Sequence, residues 1–157
     1  MQMNKYLLIL FLLGIGVHFI FFGHPNQTVF DEVHFGKFIS GYYTHEYYFD
    51  IHPPLGKLMI AGFAKVFSFK PEFSFAQIGE KFPDNKYLAL RFLPSLAGAL
   101  LPVVIFLLAL QLKFRPQAAF ITGLLVALEN ALIVQTRYIL MDGFLLLFGF
   151  SALLFYF

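Results

Sequence analysis

The sequence predicts an all-α protein built into a membrane. Two compositional facts and one pattern carry that reading. Of its 157 residues, 59% are hydrophobic and 13% charged, against about a quarter charged in a soluble domain. The apolar residues gather into long runs, at about 6–22, 88–112, 116–135 and 138–157, each near the roughly 20 residues that carry a helix across a bilayer. Between the first two runs lies a polar block, about 23–87, that crowds titratable side chains against the oily segments. One domain is expected at this length. The final run, LLFGFSALLFYF, stops without a polar flank, so residues 1–157 read as the N-terminal part of one longer membrane domain. Without cysteine there is no disulfide framework, thiolate nucleophile or Cys-based metal site. A net charge of +2 with no basic run offers nucleic acid no footing.

In chain order, Lys5 precedes the first span, 6–22. A secretory signal would end in a small-x-small cleavage site, which is missing before His24-Pro25, so an uncleaved helix is expected. His18 falls near its outer end, where an interfacial contact is the expectation. Thr28 is a candidate N-cap that would place Asp31 and Glu32 in the first turn of a short helix. Phe35, Phe38, Ile39 and Tyr42 then recur at i, i+3, i+4 and i+7, a stripe suited to lying on a bilayer. Gly41 and the aromatic run at 42–49 should close that helix. Pro53-Pro54 opens a second, over 54–69. Its Leu55, Leu58, Met59, Gly62, Phe63 and Val66 share one face, and Lys57, Ala61, Ala64, Lys65 and Ser68 the other. It is short of a crossing and carries two lysines, so it should lie in the interface.

Charge gives an independent check. Lys5 and the Lys113/Arg115 turn fall on one, cytoplasmic side only if 54–69 does not cross. Residues 23–87 then form one extracytoplasmic loop carrying two interfacial helices. The third span, 116–135, contains Glu129-Asn130, and the fourth starts near 138. Between them TRYILMDG sets Arg137 and Asp142 at the outer surface.

Chemistry concentrates in four places. Asp31-Glu32 can simply offset a helix dipole, or supply a general base at the membrane surface. The two side chains project about 100° apart on a helix, so they cannot serve one atom alike. In HPPLGK, His52 and Lys57 flank a proline-fixed helix start, where backbone N–H groups favour anions, although a lysine there can equally snorkel. Arg91, at the mouth of the second span, either snorkels or forks onto a phosphate. Glu129, an ionisable group inside a span, is a functional candidate or half of a structural pair. His34, His45 and His52 lack zinc spacing, and Asn26-Gln27-Thr28 fits a glycosylation sequon.

Taken together, FDEVHFGKF, YFDIHPPLGKL, LALRFLPSLAGAL and LENALIVQTRYILMDGFLLLF, in that order from about 30 to 148, resemble the protein O-mannosyltransferases. The resemblance implies a multi-spanning GT-C transmembrane bundle. It implies inverting, metal-independent transfer of mannose from a dolichyl- or polyprenyl-phosphate carrier to Ser or Thr hydroxyls of an acceptor protein. No cofactor is expected, the lipid-linked sugar being a substrate. Residue by residue, Asp31 matches the family's presumed base and Glu32 its acidic partner. Arg91 matches the arginine thought to hold the donor phosphate, while His52 and Lys57 lie in the HPPLGK block. His34, Asp50, Glu129, Arg137 and Asp142 are supporting candidates around that site. Glu129 stands where relatives often carry Asp, and His18 where some carry a basic residue in the first span. The implied setting is the endoplasmic reticulum membrane, or a bacterial or archaeal plasma membrane, with the site outside or lumenal and with homo- or hetero-dimers formed. The alternatives are another GT-C lipid-phosphate-sugar transferase, of the aminoarabinose type, and an inactive fragment or accessory subunit. HPPLGK favours mannose.

Overall fold

The computed structural model describes residues 2–157. Its helices run in the order α1 (Gln2–Phe19), α2 (Glu32–Thr44), α3 (Leu55–Val66), α4 (Tyr87–Gln111), α5 (Pro116–Leu128), α6 (Asn130–Arg137) and α7 (Asp142–Tyr156). Among the described residues no strand forms; the one β-pairing is an isolated bridge between Gln27 and Lys81.

The bundle is assembled on α4. Its 25 residues extend about 38 Å at the α-helical rise, and α1, α3, α5, α6 and α7 all pack against it. Among the described residues it is the one helix that is long and apolar enough alone to cross a membrane. A second crossing is available if α5 and α6 count as one span, bent by 56° between them. The helices α1 and α7 are apolar but shorter than that standard.

Lipid gives apolar helices little reason to leave it, so association rests on close backbone approach at small residues. At Gly14 of α1 an added Cβ would lie 2.2 Å from the Ala99 carbonyl oxygen of α4. Gly14→Ala is therefore expected to prise α1 from α4 and cost about 1–3 kcal/mol, the usual range for overpacking. A thermal melt in detergent checks this, and an unchanged midpoint would show that the contact is slack. Gly98 gives up its side-chain space to a buried pair, His18 Nε2 and Thr136 Oγ1, 2.8 Å apart. A carbonyl only accepts, so His18 Nδ1 donates to Gly14 O at 2.9 Å. His18 is thus an internal tie between α1 and α6 rather than the interfacial contact expected of it.

The third apolar run is not one straight helix. Glu129 leaves helical geometry (φ −73°, ψ 116°), and its carboxylate accepts from Leu132 N at 2.7 Å, capping α6. The acid that the sequence reading set inside a span is an N-cap that satisfies a backbone donor otherwise unmet at the break. Arg137, at the other end of α6, donates through Nη2 to the carbonyls of Ile20 and Phe21, at 2.8 and 3.0 Å, just past the end of α1.

In the polar block, Thr28 is no helix cap. It is buried, and its backbone N–H donates to Glu80 O at 2.9 Å while its carbonyl accepts from Gly79, pinning the loop before α4. Helix α2 runs through Gly41 and ends where His45 takes left-handed geometry, φ 59°. Its Phe35 and Ile39 pack into a core with Ile60, Ala64, Leu90 and Phe144, so that stripe faces protein rather than lipid. Helix α3 is turned the other way. Lys57, Ala61 and Ala64 point inward, while Leu55, Leu58 and Val66 are exposed.

Candidate active site

The site is built outward from one buried ion pair. Arg91, near the start of α4, and Glu32, the first residue of α2, are both fully buried. Arg91 Nε donates to Glu32 Oε1 and Nη2 to Oε2, each at 2.7 Å. The remaining guanidinium hydrogens go to the carbonyls of Gly23 (3.0 Å), Pro25 (2.9 Å) and Gln27 (2.8 Å). All five donors of the fork are thereby used. Glu32 is equally occupied, since Oε2 also accepts from Val29 N at 2.9 Å and Oε1 from Ile139 N at 3.0 Å. Phe82, Tyr87 and Tyr138 enclose the guanidinium, their ring centres 5.3, 5.0 and 4.9 Å from Cζ. The geometry therefore departs from the expectation for these residues. Arg91 has no free donor for a phosphate, and Glu32 no free oxygen for a substrate; they grip each other. The pair staples the segment after α1, the start of α2, α4 and the turn before α7.

That staple leaves Asp31 to face the other way. With Glu32 turned inward, the preceding side chain projects about 100° around the helix start, and Asp31 is exposed. It lines a cleft of about 520 Å³ with Phe35, His52, Gly56, Asp142, Phe144 and Phe148. A smaller recess of about 290 Å³ adjoins it, sharing Asp31, Phe35 and His52 and adding His34 and Asp50. Asp142 enters the cleft from the first turn of α7, where the bond from Ile139 N to Glu32 braces the approach. Among the described residues neither the Asp31 nor the Asp142 carboxylate has a hydrogen-bonding or ionic partner. Three of the sequence candidates, Asp31, His52 and Asp142, thus line one cleft. Glu129 and Arg137 do not join them, being engaged at the α6 ends.

The HPPLGK block makes a second array beside the cleft. Asp50 accepts from His52 through its backbone N–H (3.1 Å) and Nδ1 (2.8 Å), both at Oδ1. Lys57 Nζ donates to Asp50 Oδ2 and, at 3.0 Å, to the His52 carbonyl. Burial alone would raise the Asp50 carboxyl; the hydrogen bonds from Lys57 and His52 outweigh it and hold it down at about 2. The Lys57 side chain is 2% exposed, so its charge is spent on Asp50 rather than offered to a ligand. His52, 47% exposed, reaches both cavities.

Sequence reasoning missed the acceptors of Arg91, namely the three carbonyls between Gly23 and Gln27, and the aromatic box around it. A buried guanidinium demands such partners, but carbonyls carry no sequence signature. It also missed Phe35, Phe144 and Phe148 as cleft walls. Among the described residues no group of three or more His, Asp or Glu stands placed to hold a metal ion.

The fold and the cleft define a class: an all-helical protein built on a helix long and apolar enough to cross a membrane, whose titratable groups gather in a cleft bounded by α2, the start of α3 and the first turns of α7. Comparison with known proteins gives the family. Residues 8–157 match the model for dolichyl-phosphate-mannose-protein mannosyltransferases. The chain is 41% identical over 139 residues to protein O-mannosyltransferase 1 of Drosophila melanogaster, covering 88% of this chain and 16% of that protein. It is 37% identical over 145 residues to dolichyl-phosphate-mannose--protein mannosyltransferase 1 of Candida albicans, covering 92% and 16%. It superposes on a chain of the Saccharomyces cerevisiae protein O-mannosyltransferase Pmt1-Pmt2 complex bound to the sugar donor with a TM-score of 0.94 at 31% identity, over 99% of this chain and 22% of that one. The chain belongs to the dolichyl-phosphate-mannose-protein mannosyltransferase family. It spans about a sixth of the length of the curated relatives it matches.

Proposed function

We propose that these residues form the base-bearing part of an enzyme that moves mannose from a dolichyl- or polyprenyl-phosphate to Ser or Thr hydroxyls of proteins, with inversion, on the lumenal or outer face. Family membership supports the reaction class, and the relatives' names supply donor and acceptor. The single observation that carries the site is Asp31, an exposed, unpartnered carboxylate that lines both the main cleft and the recess beside it, where His52 also stands. A hydroxyl is a weak nucleophile and needs a base, and Asp31 takes its proton. The phosphate already leaves readily and needs only positive charge at its oxygen, so no second carboxyl acts as acid, unlike glycoside hydrolysis.

In this reading α1, α4, the bent α5–α6 pair and α7 cross the membrane as part of a multi-spanning GT-C bundle. Helices α2 and α3 lie at its outer surface, and the exposed Leu55, Leu58 and Val66 of α3 meet lipid. Lys5, Lys113 and Arg115 are then cytoplasmic. Pairing with a second mannosyltransferase chain follows the yeast neighbour, which is a Pmt1-Pmt2 complex.

The test uses the product of the complete reading frame, in membranes, supplied with labelled dolichyl-phosphate-mannose and a Ser/Thr peptide. Labelled O-mannosyl peptide is expected. Transfer from a lipid-phosphate aminopentose alone, or no transfer beside a normally folded protein, would reject the reading in favour of another GT-C reaction or an accessory role.

A further inference from the structure

We propose that Asp50 is a positioning residue for the transfer step. Through the Nδ1–H of His52 it aims the imidazole so that Nε2 meets the departing phosphate, and the imidazolium so held donates a hydrogen bond to the oxygen that mannose leaves. The inference rests on the function proposed above and names the cation that function requires.

The argument begins with elimination among the cations near the cleft. Arg91 has its five donors engaged. Lys57 is buried and bonded to Asp50 and the His52 carbonyl. Of the histidines, His34 lines only the smaller recess, while His52, half exposed, borders both of the cavities that Asp31 lines. Its ring is held from several sides. Asp50 Oδ1 accepts from both Nδ1 and the residue's own backbone N–H, Lys57 anchors its carbonyl, and the Phe35 ring packs edge-on with centroids 5.1 Å apart. One ring nitrogen is thus committed to a carboxylate, which fixes orientation and leaves Nε2 as the polar atom for the cleft. A buried lysine behind the carboxylate keeps Asp50 ionised, so its grip on the ring persists across the working pH range.

The step balances without any further reactant. The acceptor hydroxyl oxygen forms its bond to the anomeric carbon as its proton passes to Asp31. The bond from that carbon to the phosphate oxygen breaks, and the electron pair stays on the phosphate. The new charge there is met by the hydrogen bond from His52 Nε2–H. Asp31, His34, Asp50 and Asp142 are the other titratable groups on these cavities, with Lys57 behind Asp50.

The test is steady-state mannose transfer by the full protein, with kcat and the KM for labelled dolichyl-phosphate-mannose measured per folded molecule. His52→Gln should lower kcat about 10²-fold, the usual effect of removing one donor to developing charge. Asp50→Asn should lower kcat with the donor KM little changed, and Asp50→Glu, which keeps a carboxylate for the ring, should return most of it. The double variant Asp50→Asn/His52→Gln should be no slower than His52→Gln alone, because Asp50 acts through the ring. Where Asp50→Asn fails to fold, His52→Gln and Asp50→Glu decide. A near-normal kcat in His52→Gln, or losses that simply add in the double variant, overturns the proposal while leaving the mannosyl-transfer reading intact. Absence of transfer in the wild type overturns that reading itself.

Discussion

Asp31→Asn is expected to lower mannose transfer by about 10²–10⁴-fold, the share of a rate that a positioned base supplies, while the protein accumulates and melts as the wild type does. The reasoning is geometric. The Asp31 carboxylate is exposed on the cleft and engages no other side chain or backbone group among the described residues, so the amide substitution removes a proton acceptor and no structural bond. Asn keeps the volume and polarity, which leaves the neighbouring Glu32 contacts in place. Single-turnover transfer of labelled mannose to a Ser/Thr peptide measures the effect. Turnover within a few-fold of wild type would remove Asp31 as the base and shift attention to Asp142, the other unpartnered carboxylate on the cleft.

Arg91→Ala is expected to act on the fold first. It strands a buried Glu32 carboxylate and removes the guanidinium donors from the carbonyls of Gly23, Pro25 and Gln27. Breaking a buried ion pair on one side costs about 3–5 kcal/mol, a large part of a typical stability margin. Low accumulation and a depressed melting midpoint should accompany any loss of activity. Arg91→Lys should recover little, because an ammonium cannot reproduce a five-donor planar fork. The contrary result would be a normally stable Arg91→Ala protein with weakened donor binding alone, and it would return Arg91 to the phosphate.

How far these roles could be read from sequence differs by residue. The long central helix was legible almost to the residue, 88–112 against Tyr87–Gln111, because an apolar run flanked by Lys86 and Lys113 has one sensible placement. The break at Glu129 was not, since hydropathy reports burial and not backbone direction; the acid inside the run was the only trace of it. The stripe of Phe35 and Ile39 was seen, but its partner was misassigned. In a membrane protein an apolar face can meet lipid or protein, and periodicity does not separate the two. Helix α3 inverts the soluble rule, burying Lys57 and exposing leucines, because Asp50 awaits that lysine and the leucines face outward. For Asp31-Glu32 the divergence of adjacent helical side chains was readable. Which one turns inward was settled by a guanidinium 59 residues away in sequence, and no local pattern encodes that choice.

The most direct test of this division of labour compares Asp31→Asn and Glu32→Gln in the same membranes by thermal melting. Glu32→Gln keeps the shape but removes the charge that answers Arg91, so its midpoint should fall by several degrees while that of Asp31→Asn stays at the wild-type value. Equal midpoints for the two, or a fall confined to Asp31→Asn, would contradict the assignment of Glu32 to the fold and Asp31 to the chemistry.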